Sequence, residues 1–122
     1  MSFKAVVECK VTDFLSQPEL LAGLAEEAAE LAAAALKMRR VYGDTNPTPV
    51  GYMQAKHDLE EEIADVFNYL GEIHIFEDRN VNRIMEEKHD RWLNRLIEAR
   101  KKEDGRLAHI ELQGGRSRGM HS

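Results

Sequence analysis

Between Ser16 and Glu103, apolar residues recur every three or four positions in three long runs separated by short polar breaks. That period predicts helices. The first helix starts at Ser16-Gln17-Pro18-Glu19, where a serine followed three residues later by a glutamate forms a capping-box pattern and a proline sits in the first turn. It runs to about Val41 and stops at Gly43-Asp44-Thr45-Asn46-Pro47. The second begins between Thr48 and Gln54, with Thr48-Pro49 as a candidate cap, and runs to about Phe76. Glu77-Asp78-Arg79-Asn80 reads as a tight connection, and the third helix spans Val81 to Glu103, with Gly105 as its natural stop. Ahead of these, residues 3–15 carry two patterns. Phe3, Ala5, Val7, Cys9 and Val11 alternate as in a strand, whereas Val7, Val11, Phe14 and Leu15 fit a short helix. A short helix or irregular lead-in over 1–17 is expected. Residues 18–104 then make one all-α domain, an antiparallel helical bundle, followed by a tail over 105–122. In the tail, 108–112 reads as a short extended segment, and the Gly-, Arg- and Ser-rich stretch from Gly114 reads as disordered.

The same periodicity places the charges. An α-helix turns about 100° per residue. With Leu20 at the origin, Leu20, Leu24, Ala28, Leu31, Ala32, Ala35 and Leu36 fall in one arc from about 0° to 160°. Glu27 lies about 20° outside that arc, Glu30 about 60° further round, and Glu26 and Lys37 further still. On the second helix Leu59, Ile63, Val66, Leu70 and Ile73 form the apolar stripe, with Asp58, Glu62 and Asp65 as an acidic rail beside it. Two acid pairs at i, i+3 on consecutive helices meet near one level if the helices pack antiparallel. Four carboxylates in a half-buried groove strongly disfavour one another without a cation. Oxygen-only donors suit a hard ion, Mg²⁺ or Mn²⁺. The third helix carries a basic rail, Lys88, Arg91 and Arg95, beside the stripe of Val81, Met85, Trp92, Leu96 and Ala99. Acidic and basic rails in one small bundle suit a polyphosphate, whose oxygens a metal bridges and whose remaining charge Lys and Arg balance. The ordinary alternative is a set of solvated helix faces.

Bulk properties narrow the classes. The chain has 122 residues and a formal net charge of −5, with no long single-sign block, which argues against a general nucleic-acid surface. The lone cysteine, Cys9, forms no internal disulfide and points to a reducing, cytoplasmic setting. No apolar run approaches the roughly 20 residues of a membrane span. A chain this short makes a modest core, small enough that a partner subunit could complete it.

Glu26-Glu27-Ala28-Ala29-Glu30 followed by Glu62-Ile63-Ala64-Asp65 resembles the EExxE…ExxD signature of the MazG-like all-α nucleoside triphosphate pyrophosphohydrolases. The third-helix text EEKHDRWLNRL resembles the Lys/Arg-bearing segment of many members, and the likeness spans about residues 18–103. The resemblance implies a bundle completed by dimerisation or tetramerisation and a Mg²⁺-dependent reaction that splits a (d)NTP into (d)NMP and pyrophosphate, as in nucleotide-pool control. It implies Glu27, Glu30, Glu62 and Asp65 as metal ligands, with Glu26 and Glu27 in catalytic positions. Lys88, Arg91 and Arg95 would contact phosphate. The sequence departs from compact members in its long Pro-containing loop over 42–55. It also has Trp92 four residues after Lys88, where many members carry Asn.

Rivals are weaker on residue grounds. A di-iron carboxylate bundle wants two Glu-x-x-His pairs, and Glu86–His89 supplies one. An HD phosphohydrolase is hinted at by His57-Asp58 and His89-Asp90 but lacks further well-placed histidines. A non-catalytic helical interaction module is the alternative from another class: it predicts no divalent-metal binding and tolerance of acid-to-alanine changes.

Overall fold

The computed structural model describes residues 8–43 and 51–119, with side chains through Leu112. The described residues are helical throughout their regular structure, with no strand among them. A 3-10 turn, Val11–Asp13, leads into α1 (Gln17–Val41), α2 (Tyr52–Glu72) and α3 (Asp78–Gly119). The alternation at Phe3 to Val7 and the Thr48-Pro49 cap lie outside the described residues. The chain divides into two compact units, one through Ile75 and one from Phe76.

In the first unit α1 packs on α2. The start of α1 is the capping box read from the sequence. The Glu19 N–H donates to Ser16 Oγ at 3.2 Å and the Ser16 N–H donates to Glu19 Oε1 at 3.1 Å, so two donors without helical partners are satisfied reciprocally. Arg39 and Arg40 occupy the last turn, where cations oppose the helix dipole. Tyr42 and Tyr52, on either side of the 44–50 segment, meet edge to face with ring centroids 5.9 Å apart.

The end of α2 comes four residues earlier than the expected Phe76. Ile73 leaves the helix in extended backbone (φ −82°, ψ 127°) and is buried. The cause is a tertiary cap. Gln17, at the start of α1, accepts from the His74 N–H through Oε1 at 2.8 Å and donates from Nε2 to the Glu72 carbonyl at 3.4 Å. One side chain thus serves both backbone polarities at the α2 terminus and pins the antiparallel pair end to end.

The second unit is a single 42-residue helix whose described side chains are exposed. The stop expected at Gly105 is absent. Gly105 takes an ordinary negative φ, and the i, i+4 pair Arg100–Asp104 and the i, i+3 pair Arg106–Glu103 carry the helix across it. The 108–112 segment, read as extended, is therefore helical. The helix also continues through the Gly-, Arg- and Ser-rich stretch to Gly119, where disorder was expected.

Candidate metal centre

The buried and half-buried positions of α1 include Leu20, Leu24, Glu27, Leu31, Ala34, Met38 and Val41, with Gln17, Gly23 and Lys37 half-buried beside them; those of α2 include Ala55, Leu59, Glu62, Val66, Tyr69 and Ile73. Both series alternate steps of four and three. This is the 3.5-residue period of two helices meeting along a coiled-coil-like seam. Two cross-helix observations fix the register: Lys37 pairs with Asp58 at 3.6 Å, and the Tyr69 ring lies against the Gly23 Cα. In that antiparallel register Glu27 stands opposite Asp65, and Glu30 opposite Glu62.

Glu27 and Glu62 therefore occupy seam positions where an apolar residue ordinarily packs. The sequence wheel placed Glu27 just outside the buried arc and Ala28, Ala32 and Ala35 inside it. The structure reverses this: Glu27 is half-buried, whereas those alanines and Leu36 are exposed. Carboxylate oxygens of Glu27, Glu30 and Glu62 lie within 4.8 Å of one another. Among the described residues this trio is the one group of three or more His, Cys, Asp or Glu side chains close enough to share an ion. One oxygen on each seam glutamate, Oε2 of Glu27 and Oε2 of Glu62, is buried without a hydrogen-bond partner.

The electrostatics follow from that crowding. Desolvation is the largest cause pushing the Glu27 carboxyl up to about 7, followed by the charges of Glu30 and Asp65, a hydrogen bond shared with Glu30 and the charge of Glu62. Glu62 is likewise raised, by desolvation first and then by the Glu30 charge and a shared hydrogen bond with Glu30. The Asp65 charge raises both, across the seam for Glu27 and from the next turn of α2 for Glu62. A group of this kind is satisfied in one of two ways: it binds a proton, or it binds a cation. The donor set is oxygen only and includes two orphaned buried atoms, so it fits a hard divalent ion such as Mg²⁺.

The remaining site residues divide clearly. Glu26 is exposed and lies outside the trio. Asp58, third member of the acidic rail, is engaged by Lys37 at 3.6 Å and by the Gln54 amide at 2.8 Å, so it is not part of the cluster. On α3, Lys88, Arg91 and Arg95 line one shallow depression with Asn94. Each HD dipeptide has a local partner for its histidine. His57 pairs with Glu61 at 2.9 Å, and His89 meets the edge of Trp92 at a centroid distance of 6.3 Å. Gln17, Gly23 and Lys37 escaped the sequence reading. Their roles depend on residues 21 to 57 positions away, and no local pattern marks them.

The chain matches no family model, no curated protein and no solved structure.

Proposed function

We propose that this chain is a Mg²⁺-dependent nucleoside triphosphate pyrophosphohydrolase of MazG-like type that converts a (d)NTP to (d)NMP and pyrophosphate. The observation that carries the proposal is the convergence of Glu27, Glu30 and Glu62, with two buried carboxylate oxygens lacking partners. They are the residues that the EExxE…ExxD resemblance marks as ligands. Glu27, Glu30, Glu62 and Asp65 would hold the ion. When bound, it supplies positive charge against phosphate oxygens and acidifies water.

The chain's own groups do the rest. Glu27 sits half-buried in the seam between Leu24 and Leu31, a setting that would preorganise the anionic ligands before substrate arrives. Glu26, exposed beside the cluster, is the acid left unengaged by it and serves as acceptor for the proton of the attacking water. The resemblance would make Lys88, Arg91 and Arg95 the cationic partners of the phosphates. Attack on the α-phosphorus releases pyrophosphate with no covalent enzyme intermediate, so Cys9 has no part in the reaction. The exposed apolar residues of α1, Leu21 and Leu36 with the exposed alanines between them, are the surface for a dimer or tetramer.

The test is a panel of canonical and modified NTPs and dNTPs with Mg²⁺, read as pyrophosphate release. Release by the wild type and its loss in Glu27→Gln and Asp65→Asn, both still helical by circular dichroism, is the expected result. No release across the panel removes the proposal. The interaction-module alternative draws on α3, where Trp92, Leu93, Leu96 and Ile97 are all exposed. It predicts no release and no metal binding.

A further inference from the structure

One pocket in the first unit lies outside the carboxylate cluster yet shares its groove. It encloses about 390 Å³ and is lined by Val11, Leu15, Leu20, Asn68, Tyr69 and Glu72. That size falls within the range of small-molecule sites. Its position relative to the acids follows from helix geometry. Asn68 and Glu72 follow Asp65 by three and seven residues, so all three share one face of α2, roughly 4.5 and 10.5 Å further along the axis. Leu20 precedes Glu27 by two turns on α1, which puts it about 10.5 Å along the same seam in the same direction. That separation is comparable to the reach from a nucleotide's phosphate chain across its ribose to its base.

The lining suits a flat heteroaromatic ring and not a phosphate. Val11, Leu15 and Leu20 supply apolar walls, and Tyr69, seated over the bare Cα of Gly23, supplies a ring. Two polar side chains complete it. Asn68 carries a donor and an acceptor side by side, and Glu72 as a carboxylate accepts only. Neither side chain makes a hydrogen bond or ion pair among the described residues; the Gln17 contact is to the Glu72 main chain. A carboxylate without a cation repels a phosphate, which leaves the phosphate end to the cluster, where a bound divalent ion would offset the acids' charge. It accepts readily from an exocyclic amino group, whereas uracil and thymine offer carbonyls in that place.

We propose that this pocket receives the nucleobase, with Asn68 and Glu72 selecting cytosine and adenine, whose amino group stands where uracil and thymine carry a carbonyl; the assignment rests on the nucleotide chemistry proposed for the carboxylate cluster. A hydrogen bond to a charged acceptor corresponds to about a tenfold preference for cytosine and adenine over uracil and thymine.

The experiment titrates the full chain with the 5′-monophosphates of cytidine, adenosine, uridine and thymidine in Mg²⁺. It follows the Asn68 side-chain amide and the methyl groups of Leu15 and Leu20 by NMR, in the wild type and in Glu72→Gln. Pyrophosphate release from the matching triphosphates is measured alongside. The expected result is movement of all three probes, about tenfold tighter binding of the amino-bearing bases, and collapse of that ratio towards one in Glu72→Gln. Binding that leaves the probes unmoved, or a ratio unchanged in Glu72→Gln, overturns the assignment. If Glu72→Gln fails to fold, the wild-type probes and ratio decide alone. Pyrophosphate release without probe movement removes the base pocket and leaves the hydrolase. Probe movement without release removes the hydrolase and leaves a nucleotide-binding pocket. Neither signal removes both.

Discussion

Divalent-metal binding should be strongly pH-dependent, with a midpoint set by Glu27. Its carboxyl is raised to about 7 because burial and the charges of Glu30, Asp65 and Glu62 oppose ionisation. A metal takes the carboxylate, so it must displace whatever proton Glu27 holds. At pH 6 roughly nine-tenths of Glu27 is protonated and at pH 8 roughly one-tenth, so Mg²⁺ binding releases about 0.9 and about 0.1 proton from this group respectively. The apparent affinity should therefore rise about tenfold from pH 6 to pH 8 on account of Glu27 alone and level off above. Glu62, raised in the same direction, can only steepen the rise. The assay is isothermal titration of Mg²⁺ into the chain in two buffers of different ionisation heat at each pH, which gives affinity and proton count together. Glu27→Gln should lose both the pH 6 proton release and most of the pH dependence. Equal affinity at the two pH values, or no proton release at pH 6, refutes the reasoning.

Without metal, the same shift sets a stability profile. The folded carboxyl sits above its unfolded value of 4.5, so the folded state holds the extra proton, and stability falls as pH rises from that value through about 7. Melting in EDTA should show Glu27→Gln gaining on the wild type between pH 5.5 and pH 8, and a constant difference would contradict the crowding. Gly23→Ala puts a Cβ into the Tyr69 ring and should cost about 1–3 kcal/mol in urea denaturation. Gly105→Ala meets open space in the middle of α3 and should raise helix stability by about 1 kcal/mol. Gln17→Ala leaves the His74 N–H and the Glu72 carbonyl without their cap and should lower stability by about 1 kcal/mol, with faster hydrogen exchange at His74 as the local readout.

What the sequence disclosed depended on how local the determinant was. The start of α1 was legible because both halves of its cap, Ser16 and Glu19, lie within one turn. The end of α2 was not, because Gln17 enforces it from the far end of the other helix. Gly105 misled because glycine stops a helix when it turns left-handed, and here flanking ion pairs hold it helical. The candidate site was legible as paired acids at i, i+3 on neighbouring helices. The depth of Glu27 was not. A wheel of 3.6 residues per turn drifts about 20° per heptad from a seam of 3.5. Over the three heptads from Leu20 to Val41 this moved Ala35 and Leu36 into the buried arc and Glu27 to its margin.

The placement of Glu27 and Glu62 also divides the hairpin mechanically. Leu20, Leu24, Tyr69 and Ile73 form one apolar block, and Leu31, Ala34, Met38, Ala55 and Leu59 form another; the two acids interrupt the seam between them. Contiguous packing is what makes a structure open as one cooperative body, and an unfavourable layer in the middle lets its halves fray separately. The metal-free hairpin should therefore exchange its amide hydrogens in two kinetic groups. A cation seated on the carboxylates would join the two blocks and merge the groups into one.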